Sequence, residues 1–285
     1  QDLLLPAPIT AGLIGLLVGP NVLGWINFSD NLGDYTSILI AVVFASMAYS
    51  MEVGGNMGKG ARNMWGYSTM MFTGQWGLFI VLGLFLFAPL FDTPNWFGMM
   101  LPVGFTGGFG TAAAVGGALE GVGADAASSL GFTSATVGTL AAIIGGVIAG
   151  NWGIRKGKVS HVPKELPEEL RRGYIKNIDD RPSLGRATTN PSSIEPLALH
   201  FGFIILTVMT AYGINQGLSS IWENVSVPLF AMSMVVGLIF RALMNFVGAE
   251  DYLDKDSISS ISGAATDYLI AFGVAAIVPA AIASY

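Results

Sequence analysis

No cysteine occurs among the 285 residues, so disulfides, thiolate metal sites and cysteine nucleophiles are excluded. Only two histidines are present, His161 and His200, far apart in the chain and each without a metal-ligand partner nearby. An aspartyl intramembrane protease would show a Gly-x-Gly-Asp string, but Gly108-Phe109-Gly110 is followed by Thr111. A serine enzyme would need a paired histidine, which neither position supplies. The sequence therefore reads as a non-enzyme. Charge is scarce as well: 11% of residues are charged, against roughly a quarter in a soluble domain. A net charge of −6 argues against nucleic acid as a partner.

What the chain does contain is long uncharged runs. They cover residues 3–29, 35–51, 65–91, 93–119, 126–154 and 196–222, and two more, 224–248 and 257–285, are each interrupted by one charge, Arg241 and Asp267. Each approaches or exceeds the roughly 17–25 residues that cross a bilayer as a helix. The runs lack barrel alternation, and only helices or closed barrels satisfy a backbone in lipid. The fold class is thus an all-α polytopic membrane protein.

Nine of the 13 basic residues fall between Arg155 and Arg186, and Lys59 and Arg62 follow a glycine-rich turn. Excess Lys and Arg marks cytoplasmic loops, so 155–195 is expected to be a cytoplasmic linker between two membrane halves. Counting crossings from these anchors puts both Asp92 and the start of the run at 126 outside. The segment between them must then turn back, a re-entrant hairpin spanning 93–125. Its composition agrees: Pro94 and Pro102 stand among seven glycines between Gly98 and Gly117. Seven crossings and one hairpin result.

The two halves share a weak repeat. Pro8-Ile9, Gly15-Leu16-Leu17 and Val22-Leu23-Gly24 resemble Pro228-Leu229, Gly237-Leu238-Ile239 and Phe246-Val247-Gly248. Leu39-Ile40-Ala41 likewise matches Leu269-Ile270-Ala271. Each matched pair runs in opposite directions, the signature of an inverted-repeat secondary transporter whose site lies at broken helices near the midplane. The predicted organisation is 1–154 as an N-terminal transmembrane half, 155–195 as linker, and 196–285 as the start of an inverted, incomplete C-terminal half.

At the hairpin tip, Thr106-Gly107-Gly108-Phe109-Gly110-Thr111 offers free backbone amides suited to an anion, with carbonyls and hydroxyls suited to Na⁺. Ser134 and Thr136 follow on the next helix and are candidate Na⁺ ligands. Asp267 is an intramembrane carboxylate, which by default marks an ion or substrate site. Arg241 could pair with a substrate carboxylate in bidentate fashion. The tryptophans fit an aromatic belt.

The string Thr106-Gly107-Gly108-Phe109-Gly110-Thr111-Ala112-Ala113-Ala114, with Ser134-Ala135-Thr136-Val137-Gly138 and Gly145-Gly146-Val147-Ile148-Ala149-Gly150 after it, resembles the glutamate:sodium symporter family. That family is related in fold to the 2-hydroxycarboxylate transporters. The resemblance implies Na⁺-coupled uptake of L-glutamate or a similar anion, elevator-like movement of the substrate-binding domains, and a homodimer in the bacterial inner membrane among its lipids. Phe109 replaces a frequent family histidine. No second Gly-Gly-x-Gly follows, so the sequence is expected to be the middle portion of a longer transporter. Transport of 2-hydroxycarboxylates or dicarboxylates, or a channel built on the re-entrant loop, is the alternative reading.

Overall fold

The computed structural model describes residues 6–29, 31–51, 58–158, 175–178, 181–221 and 227–282. Among them every regular element is helical, and six helices are long and apolar enough to cross a membrane. In chain order these elements are α1 (Ala7–Val18), α2 (Leu32–Ser50), α3 (Lys59–Phe91), α4 (Met100–Phe105), α5 (Gly108–Glu120), α6 (Ala127–Arg155), α7 (Pro196–Ile221), α8 (Leu229–Phe246), α9 (Lys255–Ala275) and α10 (Pro279–Ile282). The stretch 159–174 of the expected linker and Trp222 lie outside the described residues.

Proline and glycine set where the apolar runs break. In α3 a π turn at Gly83–Phe87 precedes Pro89, whose ring excludes the carbonyl of Phe85 and which has no N–H to give it. The first run ends as helix at Val18, ahead of Gly19 and Pro20, earlier than its uncharged length suggested. The last run breaks after Ala275, because Pro279 has no N–H to return to the Ala275 carbonyl. There Asn21 Nδ2 donates to Ile277 O and Val278 N–H donates to Ser129 Oγ, so side chains satisfy what the broken helix cannot. The N-terminus of α9 is capped by Asp254, which accepts from the N–H and hydroxyl of Ser257.

Packing centres on α2 and α9, which lie against each other; α1 packs on α9, and α8 packs on α2. Glycines allow both close approaches. A Cβ on Gly15 would lie 3.1 Å from Ala275 Cβ, and one on Gly237 would lie 2.8 Å from Ala48 Cβ and 3.4 Å from Ala45 O. The buried core divides accordingly. One cluster surrounds the segment 100–135 with Leu269, Val274 and Ile277; the other joins Val42, Ala45 and Tyr49 to Ile204, Ile258 and Ala265. In the second cluster Tyr49 Oη lies 2.8 Å from Thr207 Oγ1, tying α2 to α7.

Apolar side chains also cover the outside. Phe85 (77%), Ile148 (64%) and Met209 (67%) are exposed, as lipid-facing residues are. Of the tryptophans, Trp25, Trp65 and Trp152 are exposed in the manner of a belt, whereas Trp76 and Trp96 pack against the core around α4 and α5.

Candidate substrate and sodium site

Residues 93–119 are not one helix. A 3₁₀ turn at Phe97–Met99 leads into the six-residue α4, the chain breaks at Thr106 and Gly107, and α5 leaves with Gly108 at φ +69°. That left-handed conformation is open to glycine at no steric cost, which is why the break falls there. The 13 residues of α5 extend about 20 Å, short of a 30 Å crossing. Thr106 closes the end of α4 by donating its hydroxyl to Pro102 O at 2.6 Å. Gly107 lies so close to the Thr111 side chain that a Cβ there would meet it.

No side chain caps α5. The N–H groups of Gly108, Phe109 and Gly110 therefore point out of the helix start without helical partners, and the positive end of the helix dipole points with them.

Glycine contacts hold this tip from three sides. Gly104 lies against Ser134 and Ala135 of α6, Gly110 lies against Ile40 of α2, and Phe109 is buried against Gly273 of α9. Gly138 of α6 receives Phe105. Ser134 Oγ donates to Leu101 O at 2.8 Å, a polar tie between α6 and α4. At the far end of α5 both carboxylate oxygens of Glu120 accept from Ser128, one from its N–H and one from its hydroxyl.

The structure thus brings Thr106, Gly107, Gly108, Phe109, Gly110 and Thr111 together with Ser134. Thr136, two residues on and therefore on a different face of α6, is buried and donates to Phe132 O of its own helix, as membrane hydroxyls commonly do. Asp267 and Arg241 stand elsewhere. Asp267 is exposed on α9 and lines a cavity of about 610 Å³ with Ser50, Ser262 and Thr266. Arg241 lies 3.6 Å from Glu250 and donates to Ala48 O at 3.4 Å, linking the ends of α8 and α2.

The sequence of the sodium/glutamate symporter family model matches residues 1–281. The chain belongs to the sodium/glutamate symporter family. Searches of curated proteins and of solved structures returned no match. The symporter is a multi-pass membrane protein of a transporter family, with glutamate as the family's substrate and Na⁺ as its coupling ion.

Two features of the symporter had no obvious signal in the run of charges. His200 is fully buried, donates from Nδ1 to Pro196 O and accepts the Asp254 N–H at Nε2, joining α7 to α9. Asp34 and Ser37 line the cavities beside α5. Their i, i+3 spacing puts them on one helix face, a sign that the uncharged run starting at residue 35 hid by excluding Asp34.

Proposed function

We propose that this symporter takes up L-glutamate or a related carboxylate with Na⁺ by elevator-like alternating access, with the α4–α5 hairpin carrying the substrate. The observation that carries this reading is the uncapped start of α5. Its three N–H groups and positive dipole end suit a substrate carboxylate, and the tip is set among α2, α6 and α9 with Thr106 exposed and so open to a ligand. Thr106 and Thr111 add hydroxyls. The neighbouring Ser134 and Thr136 are assigned to Na⁺, and a re-entrant position within the bilayer follows from the crossing count.

An inverted repeat is supported by the packing. Matching 39–41 to 269–271 sets an offset of 230, so Ala45 corresponds to Ala275; the other match pairs Gly15 with Gly237. The close contacts Gly15 to Ala275 and Gly237 to Ala45 are then equivalents of one another. The same offset pairs Ser37, beside α5, with Asp267, and on that ground Asp267 is assigned to cation binding. Arg241 is held by Glu250 in this arrangement, so a substrate contact from it requires that pair to open. The cytoplasmic side is the Arg155–Lys158 end, and a homodimer in the bacterial inner membrane belongs to the same reading.

Reconstitution into liposomes tests the proposal. Saturable glutamate uptake that requires an inward Na⁺ gradient is the expected result. Non-saturating flux that ignores the gradient would overturn it in favour of a channel.

A further inference from the structure

Phe109 and Gly110 are consecutive residues in the first turn of α5, and each interlocks with a different helix. The Phe109 ring is 4% exposed and lies over Gly273 of α9, where a Cβ would stand 2.5 Å from Cδ1, 3.2 Å from Cγ and 3.3 Å from Cε1. Gly110 in turn receives Ile40 of α2, and a Cβ there would overlap Cγ1 and lie 2.6 Å from Cδ1. Knob and slot alternate: α5 gives a ring to a glycine of α9 and takes an isoleucine of α2 onto its own glycine. The two receiving helices pack against each other, so the turn is seated on both.

Exposure around the tip divides to match. Thr106 is exposed, Gly107, Gly108 and Thr111 are half-buried, and Phe109 and Gly110 are buried. The Phe109 side chain is thus turned into the core, and what position 109 offers a ligand is its backbone N–H. No side chain caps this helix start, and Gly108 enters it at φ +69°, so its direction is set by packing. Hydrogen bonds to a carboxylate hold over roughly 2.7–3.2 Å and weaken steeply off line, and a displacement of about 1 Å disrupts them.

We infer that Phe109, Gly273 and Ile40 are positioning residues for the substrate: by seating the first turn of α5 on α9 and α2, they fix where the N–H groups of Gly108, Phe109 and Gly110 point. The inference rests on the substrate carboxylate binding at that helix start. It removes the Phe109 side chain from the substrate contacts and adds two residues of distant helices, neither of which touches the substrate. A purely space-filling role has a different consequence. Lost packing lowers the amount of folded protein and leaves the affinity of what remains unchanged.

The experiment measures glutamate uptake in liposomes at saturating Na⁺, which gives KM and maximal rate separately, beside the melting temperature in detergent. Gly273→Ala pushes the Phe109 ring back by about 1 Å, since ordinary contact begins near 3.4 Å. It is expected to raise KM about tenfold, while the maximal rate per inserted protein changes by less than about threefold. Phe109→Leu in the Gly273→Ala background supplies a smaller side chain that can turn from the new methyl, and KM should fall back at least about threefold. Ile40→Ala deletes the knob on Gly110, raises KM in the same direction, and carries the test should Gly273→Ala fail to insert. An unmoved KM in the inserted variants, with only melting temperature and maximal rate reduced, overturns the inference. A double variant no better than Gly273→Ala also overturns it. Gly108→Val separates this from failure of the site itself: if it retains uptake, the helix start is not where substrate binds and both readings fall. If it abolishes uptake while Gly273→Ala and Ile40→Ala leave KM unmoved, the positioning inference alone fails.

Discussion

Gly104→Ala places one methyl group between α4 and α6, and its effect can be worked from the contacts. The new Cβ would lie 2.3 Å from Ala135 N, 2.6 Å from the Ser134 carbonyl carbon and 2.6 Å from Ser134 Cβ. Ordinary contacts begin near 3.4 Å, so the helices must part by about 1 Å. Two of the obstructing atoms are backbone in the interior of a 29-residue helix and cannot rotate aside. Parting stretches the 2.8 Å bond from Ser134 Oγ to Leu101 O past the useful range, at a cost of about 1 kcal/mol. Overpacking adds about 1–3 kcal/mol. A total of about 2–4 kcal/mol corresponds to a fall in melting temperature on the order of 5–15 °C. The assay is thermal unfolding of the purified protein beside glutamate uptake, with Gly145→Ala as the control, since nothing lies within 4 Å of that Cβ. The control should be neutral or slightly stabilising, because alanine favours helix over glycine. Unchanged melting and uptake in Gly104→Ala would refute the idea that this contact positions the hairpin.

Gly108→Val puts a β-branched residue at φ +69°; glutamate uptake should be abolished while membrane insertion, read by fractionation, is retained. Ser134→Ala strands the Leu101 carbonyl, and the melting temperature should drop by an amount corresponding to about 1 kcal/mol, with the Na⁺ midpoint of uptake rising. Asp254→Asn tests the cap of α9 through pH. Burial acts to raise the Asp254 pKa, but hydrogen bonds from Arg186 and Ser257 and the nearby His200 outweigh it, so the group titrates below the ordinary carboxylate value. A depressed folded-state pKa stabilises above the unfolded value and loses that contribution as pH falls through the folded one. The unaltered protein should therefore melt higher than Asp254→Asn at neutral pH, and the two should converge below about pH 4. A gap that persists in acid would show that the carboxylate's charge is not what matters.

Patterning carried far in this molecule because lipid makes it strict. A run of low charge long enough to cross reads as a helix, and a loop rich in Lys and Arg orients what precedes it; six of the eight runs correspond to the long helices α2, α3, α6, α7, α8 and α9, while 3–29 holds only the 12-residue α1 and 93–119 is broken. The break at Thr106–Gly107 was legible for a related reason, since proline and three glycines in four residues do not sustain a helix. Which residues then meet was not legible. Thr106 to Thr111 are local in sequence, and Ser134 reaches them across one short loop. Arg241 and Asp267 are distant, and nothing in an apolar pattern says which face of a helix turns toward which neighbour.

By itself the sequence determined the membrane class, the place of six long helices where it had counted seven crossings, the broken segment and its glycine chemistry, because these follow from hydrophobicity and backbone freedom. The tertiary structure decided that Arg241 pairs with Glu250, that His200 is buried as a tie between α7 and α9, and that Asp34 and Asn215, some 180 residues apart, line one cavity. Those are matters of helix rotation and approach. They depend on where small residues such as Gly15, Gly104 and Gly237 let two backbones come close, and that is settled only when all the helices pack at once.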